Sequence, residues 1–441
     1  MKKEKFGIVL PIVLLSYFMI ILDNSIIFTS TAKIATDLSL STQSLAWITN
    51  AYALTFGGFL LFAGKAGDLV GRKQFFMIGL IVFSLSSLFV GMATNAMMII
   101  VMRAMQGIGS AILAPSTLAL LMDNYEGQMR IKAIAYYGAA GGLGASFGLV
   151  IGGLITTYAS WRVGFFINVP IGLGLFGLAW KTLQVSQTSQ EKLDFLGTIL
   201  SIIGVSTLVY SIDGTNYRTI ALIIAIVTLT WFVMHEYRTK SPIMPLALFS
   251  DPERRYAYLT RWFFMSVSLA YFFLTPLATQ RFYGFTPLLA ALGFLPETIP
   301  QFLAAAWVTR LTDRLKVGQI IFIGTILMFA GVLGATLIGV QQGFWIAIAL
   351  PGVVIGIGQG MALGALTNAG VANTTSALSG AASGVVNTIH QIDGSVGLSI
   401  VVALTSQYTN PVMSYNRSLI FMTIFAVIAV GFSVGILKAE N

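Results

Sequence analysis

Gly64-Lys65-Ala66-Gly67-Asp68-Leu69-Val70-Gly71-Arg72-Lys73 lies between two apolar runs, roughly 43–63 and 75–93. Each run is about twenty residues long, the length at which a helix crosses the hydrocarbon core of a bilayer. Between them the glycines permit a tight turn where two helix ends meet, and Asp68 beside Arg72 permits a local ion pair. Lys65, Arg72 and Lys73 place positive charge on one short connection, which is how a cytoplasmic loop holds membrane helices in orientation. The stretch is read as an inner-face connection between two membrane spans.

Working outward, the same alternation fills the chain. Of 441 residues, 56% are hydrophobic and 9% charged, with a mean hydropathy of +0.85. A soluble chain carries about 25% charged residues, so the solvent for most of this surface is lipid. The 45 glycines agree, because membrane helices pack backbone to backbone through small residues. Fourteen candidate spans follow: 6–28, 43–63, 75–93, 97–121, 132–156 and 163–182, then 195–212 and 218–236, then 257–280, 287–309, 319–338, 344–366, 381–404 and 418–437. The first follows the basic Met1–Lys5 but runs to about Phe28 without a small-residue cleavage pattern, so it reads as a span and not a signal peptide. Polar breaks at 183–194 and 237–256 bracket the seventh and eighth spans. The expected organisation is an all-α membrane protein with a six-helix lobe at 1–182, a two-helix insert with linkers at 183–256 and a second six-helix lobe at 257–441.

With the N-terminus inside, about eighteen Lys and Arg side chains fall on inner connections and about five on outer ones. Both termini are then cytoplasmic, which an even number of spans requires. The net charge of +9 is scattered over these connections, which argues against a nucleic-acid partner. The absence of cysteine excludes disulfides and thiolate chemistry, and His235 and His390 alone make no metal site. No Gly-x4-Gly-Lys loop is present, so direct ATP drive is not expected.

Several further stretches carry a pattern. Arg310-Leu311-Thr312-Asp313-Arg314 echoes the Gly64–Lys73 stretch in the corresponding connection of the second half, as two related halves would leave it. Trp47-Ile48-Thr49-Asn50-Ala51-Tyr52-Ala53-Leu54 opens the second span, and Arg103-Ala104-Met105-Gln106-Gly107-Ile108-Gly109-Ser110-Ala111 lies inside the fourth. Trp161-Arg162 and Phe166-Ile167-Asn168-Val169-Pro170-Ile171-Gly172 enter the sixth; Asp194-Phe195-Leu196-Gly197 begins the seventh, and Pro242–Phe249 precedes the ninth. Together these resemble the fourteen-span drug:proton antiporter family within the major facilitator superfamily, over nearly the whole chain.

The resemblance implies two six-helix lobes rocking about a central cavity, with the residues around Gly64, Asp68, Gly71 and Arg72, and Asp313 and Arg314 in the second half, acting as a gating loop. It implies a substrate class of lipophilic, often cationic small molecules, protons as the coupling ion, no other cofactor, and a monomer in the bacterial cell membrane among its lipids. Departures exist. Gly144, Gly148, Gly152 and Gly153 of the fifth span are kept as a helix-packing face, but Leu149 stands where the family has proline. In the first span Leu22-Asp23 is kept, with Lys33 near the position where a proline is usual.

An ionisable side chain at bilayer depth costs several kcal/mol unless it faces a cavity or a partner, so each is a functional candidate. Asp23 is about seventeen residues into the first span and Arg103 about six into the fourth, which runs inward, so their depths are similar. The resemblance makes those two helices cavity neighbours. The pair reads either as a static salt bridge or as a switch in which protonating Asp23 frees Arg103. Glu297, between Pro296 and Pro300, and Asp393 lie near the midplane of the tenth and thirteenth spans. Each reads as a proton or cation site, or as a buried hydrogen-bonded acid. Family members often carry glycine where Asp393 stands. His390 is one turn from Asp393 and either shares a proton with it or packs. The expected activity is multidrug efflux; export of one endogenous metabolite or siderophore is the alternative. A membrane enzyme would need a nucleophile–base set or a metal cluster in a loop, which the sequence does not offer. A transporter-derived sensor would not need the midplane acids.

Overall fold

The computed structural model describes residues 6–184, 194–214, 216–239, 242–312, 314–374 and 376–440. Asp313 and the 185–193 part of the first polar break lie outside the described residues, as does the side chain of Asp68. Among the described residues the regular structure is helical. In lipid that is dictated by hydrogen bonding, because an α-helix satisfies its own backbone within one segment.

The chain divides into two compact units, Met1–Leu40 with Trp47–Phe195, and Ser41–Ala46 with Leu196–Asn441. The first contains α1 (Val9–Asp37), α2 (Thr42–Val70, apart from its first turn), α3 (Arg72–Gly91), α4 (Ala96–Asn124), α5 (Gly127–Tyr158), α6 (Trp161–Phe166) and α7 (Asn168–Thr182). Helix α1 packs mainly on α5, and α3 on α4 and α7. The second contains α8 (Phe195–Asp213), α9 (Arg218–Arg238), α10 (Pro252–Phe282), α11 (Pro287–Leu292), α12 (Leu295–Leu311), α13 (Val317–Ile338), α14 (Leu350–Gly370), α15 (Ser376–Thr405) and α16 (Pro411–Ala439). There α14 packs between α12 and α13, and α10 packs on α15 and α16.

Eleven stretches among the described residues are long and apolar enough to cross a membrane, with α6–α7 and α11–α12 each counted as one stretch. Helices α2, α5 and α15 lie over the remaining expected runs. Several helices outrun the expected spans. Helix α1 continues to Asp37 and not to about residue 28, and α2 continues to Val70 and not to residue 63. A hydropathy ruler measures the lipid-immersed part, whereas the helix ends only where its hydrogen bonding ends. This corrects the reading of the Gly64–Lys73 stretch as a loop. All of it up to Val70 is helical, and the turn is made at Gly71, whose φ of 96° a side chain would resist.

The tenth expected span is two pieces. Helix α11 ends at Leu292 and α12 starts at Leu295, with the break at Gly293 and Phe294. Pro296 occupies the first turn of α12, where its missing N–H costs nothing. Helix α5, by contrast, runs unbroken from Gly127 to Tyr158 through Leu149.

Candidate functional site

In the first unit the buried charges converge. Asp23 of α1 and Arg103 of α4 are both fully buried. Arg103 Nη1 donates to Asp23 Oδ2 at 2.7 Å, while Gln106 Nε2 and Asn168 Nδ2 each donate to Asp23 Oδ1 at 2.8 Å. Arg103 Nη1 also donates to Gln106 Oε1 at 2.7 Å, and its Nε to the Ile48 carbonyl at 3.3 Å. Its guanidinium carbon lies 4.2 Å from the centre of the Tyr52 ring, and the Tyr52 hydroxyl donates to Ser110 Oγ at 2.7 Å. Ser87 Oγ accepts from Gln106 Nε2 at 2.6 Å. A carboxylate with three donors and a cation over an aromatic face is a paired charge, the form in which lipid tolerates ions.

Local sequence brings these groups together. Gly107 lets α2 and α4 meet backbone to backbone, because a Cβ there would stand 2.3 Å from the Tyr52 carbonyl oxygen. That approach puts the Ile48 carbonyl within reach of Arg103. On the other side of α1, Gly144, Gly148 and Gly152 of α5 lie against Ile21, Ser25 and Ile26, flanking Asp23. Gly153 is buried in the same helix. Asn168 opens α7 at the break after α6.

The Trp161-Arg162 dipeptide closes the end of this unit at which α1 and α3 finish. Trp161 Nε1 donates to Asp37 Oδ2 at 2.8 Å, and Arg162 Nη1 donates to the Gly91 and Ala93 carbonyls at 3.0 and 2.6 Å. A cation on the terminal carbonyls of α3 satisfies groups that the helix leaves open. Arg162→Met is expected to lower stability by about 1.5–3 kcal/mol, the range for hydrogen bonds to a charged group. Thermal unfolding of the detergent-solubilised protein checks it, and an unchanged midpoint would show that water replaces the cap.

At the other end Arg72 pairs with Asp123 at the end of α4, a partner the sequence reading did not name. Lys73 Nζ donates to the Trp180 and Leu183 carbonyls at 2.8 and 2.6 Å, capping α7. In the second unit Arg314 is exposed in the turn after α12, and the Glu440 carboxylate accepts from the Gly318 N–H at 2.9 Å, at the start of α13.

The remaining candidates lie in the second unit and differ from Asp23. Glu297 sits in the first turn of α12, is 2% exposed, and neither carboxyl oxygen has a hydrogen-bond partner. Gln359 of α14 lies beside it with both amide atoms also unpartnered. Asp393 of α15 is fully buried, and both of its carboxyl oxygens are unpartnered. His390 Nδ1 lies 3.0 Å from Nη2 of Arg261, a buried arginine of α10 absent from the sequence-level candidates. Two acids without donors and one acid with three donors are different chemical objects. The first kind requires a proton or a cation; the second already has one.

Long apolar helices, one run divided at Gly293 and Phe294, with charged groups buried among them, are those of a multi-pass membrane protein. Residues 13–398 match the Major Facilitator Superfamily, and the chain belongs to that family. It is 29% identical over 408 residues to the cephamycin export protein of Amycolatopsis lactamdurans, covering 90% of this chain and 84% of the relative. To the puromycin resistance protein of Streptomyces alboniger it is 27% identical over 444 residues, covering 97% and 88%. The solved structure of a bacterial homologue of the human lysosomal transporter Spinster superposes with a TM-score of 0.71 at 15% identity, over 98% of this chain and 97% of that one. Family and relatives are transporters and not enzymes.

Proposed function

We propose that the protein is a proton-coupled multidrug antiporter of the fourteen-span class, exporting lipophilic, often cationic compounds by alternating access. The observation that carries this reading is the pair of buried acids, Glu297 and Asp393, that accept no hydrogen bond in a chain whose relatives include antibiotic export and resistance proteins. Charge on such an acid costs several kcal/mol unless neutralised. A proton neutralises it, and so does the cationic group of a substrate, but not both at once. Competition of this kind yields exchange. One proton entering down ~100 mV supplies ~2.3 kcal/mol.

In this reading fourteen helices form lobes at 1–182 and 257–441 with the insert 183–256, and both termini are cytoplasmic. Asp23 and Arg103 form a coupling pair that opens when Asp23 takes a proton. The glycine face of α5, at Gly144, Gly148, Gly152 and Gly153, is where α1 slides. Gly64, Asp68, Gly71, Arg72, Asp313 and Arg314 latch one state. A second reading, export of a single metabolite, is supported by the relative named for cephamycin alone.

The test uses purified protein in liposomes with an inward pH gradient, following ethidium and internal pH together. Ethidium movement with matching proton flux is expected, falling at least about tenfold in Glu297→Gln or Asp393→Asn, because an amide takes up no proton and offers no charge to a cation. Absence of movement for ethidium and other lipophilic cations would remove the multidrug reading in favour of the narrow one. Proton flux unaltered in both variants would remove the coupling role of these acids.

A further inference from the structure

Arg261 lies on α10 about nine residues after Pro252, about 13 Å of helix rise into an apolar segment. Its Nη1 donates to Thr367 Oγ1 of α14 at 3.0 Å, and its Nη2 lies 3.0 Å from His390 Nδ1 of α15. A guanidinium can only donate, so His390 Nδ1 is the acceptor and its ring is neutral, with its proton on Nε2. Arg261 Nε makes no hydrogen bond, and neither do the two carboxyl oxygens of Asp393, one turn further along α15. Arg261 and Asp393 lie within reach of each other's charge but form no ion pair.

Among the described residues of the packed helices, no other charged group faces this cluster. Helix α14 carries no Asp, Glu, Lys, Arg or His, and presents Thr367. Helix α15 presents His390 and Asp393. On α16, Arg417 and Lys438 stand near the two ends, with Tyr415 bonded to Thr275. The other charges of α10 (Glu253, Arg254, Arg255 and Arg281) are also at its ends, and Tyr258 donates to the Gly370 carbonyl. A donor without an acceptor and an acid without a donor therefore lie within reach of each other's charge.

We propose that Arg261 is a built-in counter-cation that alternates between a waiting position on His390 and Thr367 and a closed position on Asp393. It rests on the reading above that Asp393 carries a coupling proton. In the waiting position Asp393 is a neutral carboxylic acid. In the closed position its O–H bond breaks, the proton leaves to water, and the carboxylate accepts the Arg261 N–H groups. Proton release then needs no substrate cation at this acid. His390 acts as a positioning residue: it holds Arg261 only while Nδ1 is unprotonated.

The experiment is infrared difference spectroscopy of the purified full-length protein across a pH titration. The carbonyl band of protonated Asp393 is identified by its loss in Asp393→Asn. In Arg261→Gln the midpoint of that band is expected to move alkaline by about 1–3 pH units, the usual influence of an adjacent guanidinium on a carboxyl. In His390→Phe and Thr367→Val, which empty the waiting position, it moves acid by about one unit, the equivalent of one charge-assisted hydrogen bond. The acid shifts are decisive, and they carry the test even if Arg261→Gln does not fold. An unmoved midpoint in His390→Phe and Thr367→Val overturns the alternation, because a fixed arginine would account for the Arg261→Gln shift alone. Absence of any Asp393 band at every accessible pH overturns the parent reading instead.

Discussion

Arg103→Leu is expected to abolish transport and to destabilise the protein by about 3–5 kcal/mol, the cost of leaving one member of a buried ion pair alone. The variant strands Asp23, whose Oδ2 then has no donor while Oδ1 keeps Gln106 and Asn168. It also empties the space over the Tyr52 ring. The double variant Asp23→Asn with Arg103→Leu removes both charges, and its amide oxygen can still accept from Gln106 and Asn168. At least about half of the lost stability should return in it, because the uncompensated charge is the larger part of the penalty. Transport should not return. Thermal unfolding and ethidium flux, measured on wild type, both single variants and the double, separate the two roles. A double variant that transports like wild type would leave the pair purely structural. A single Arg103→Leu within about 1 kcal/mol of wild type would mean that water reaches the site and screens it.

That pair was legible in the sequence because an acid and a base stand alone at similar depths in apolar runs. Gln106 and Asn168 lie inside quoted motifs, but their role as donors to Asp23 depends on α4 and α7 converging on α1, which spacing along one helix does not reveal. The same limit hides Asp123: in sequence Arg72 has Asp68 as its near neighbour, and only the fold brings the end of α4 to it. Arg261 is different, since a signal was there. Of 25 basic residues, about eighteen fall on connections expected to be inner and about five on those expected to be outer, which leaves Arg103 and Arg261 in apolar runs. Helix ends were the least legible part of the fold. Hydropathy records contact with lipid, and α1 and α2 go on past it with their backbone bonds intact. At Glu297 the flanking prolines announced a loosened helix, and the helix is in fact divided three to four residues before it, at Gly293 and Phe294.

Gly356→Ala is expected to disable the protein while Gly364→Ala leaves it unchanged, although both glycines lie on α14. A Cβ on Gly356 would stand 2.0 Å from the Glu297 carbonyl oxygen and 2.9 Å from its carbonyl carbon, so backbone meets backbone and no side chain can yield. A Cβ on Gly364 would meet nothing within 4 Å. The first change must therefore push α12 from α14 where Glu297 and Gln359 lie side by side. Overpacking of this kind costs about 1–3 kcal/mol, and moving a functional group by about 1 Å can cost about a hundredfold in rate. The second change gains helix propensity, worth up to about 1 kcal/mol. The pair of variants discriminates position from stability. If Gly356→Ala lost transport only in proportion to its lower unfolding midpoint, a stabilising ligand or lower temperature would restore it, and the placement of Glu297 would not matter. The expected result is a transport defect of about a hundredfold that persists at temperatures where the variant is fully folded, because what the methyl group displaces is the backbone that carries the acid.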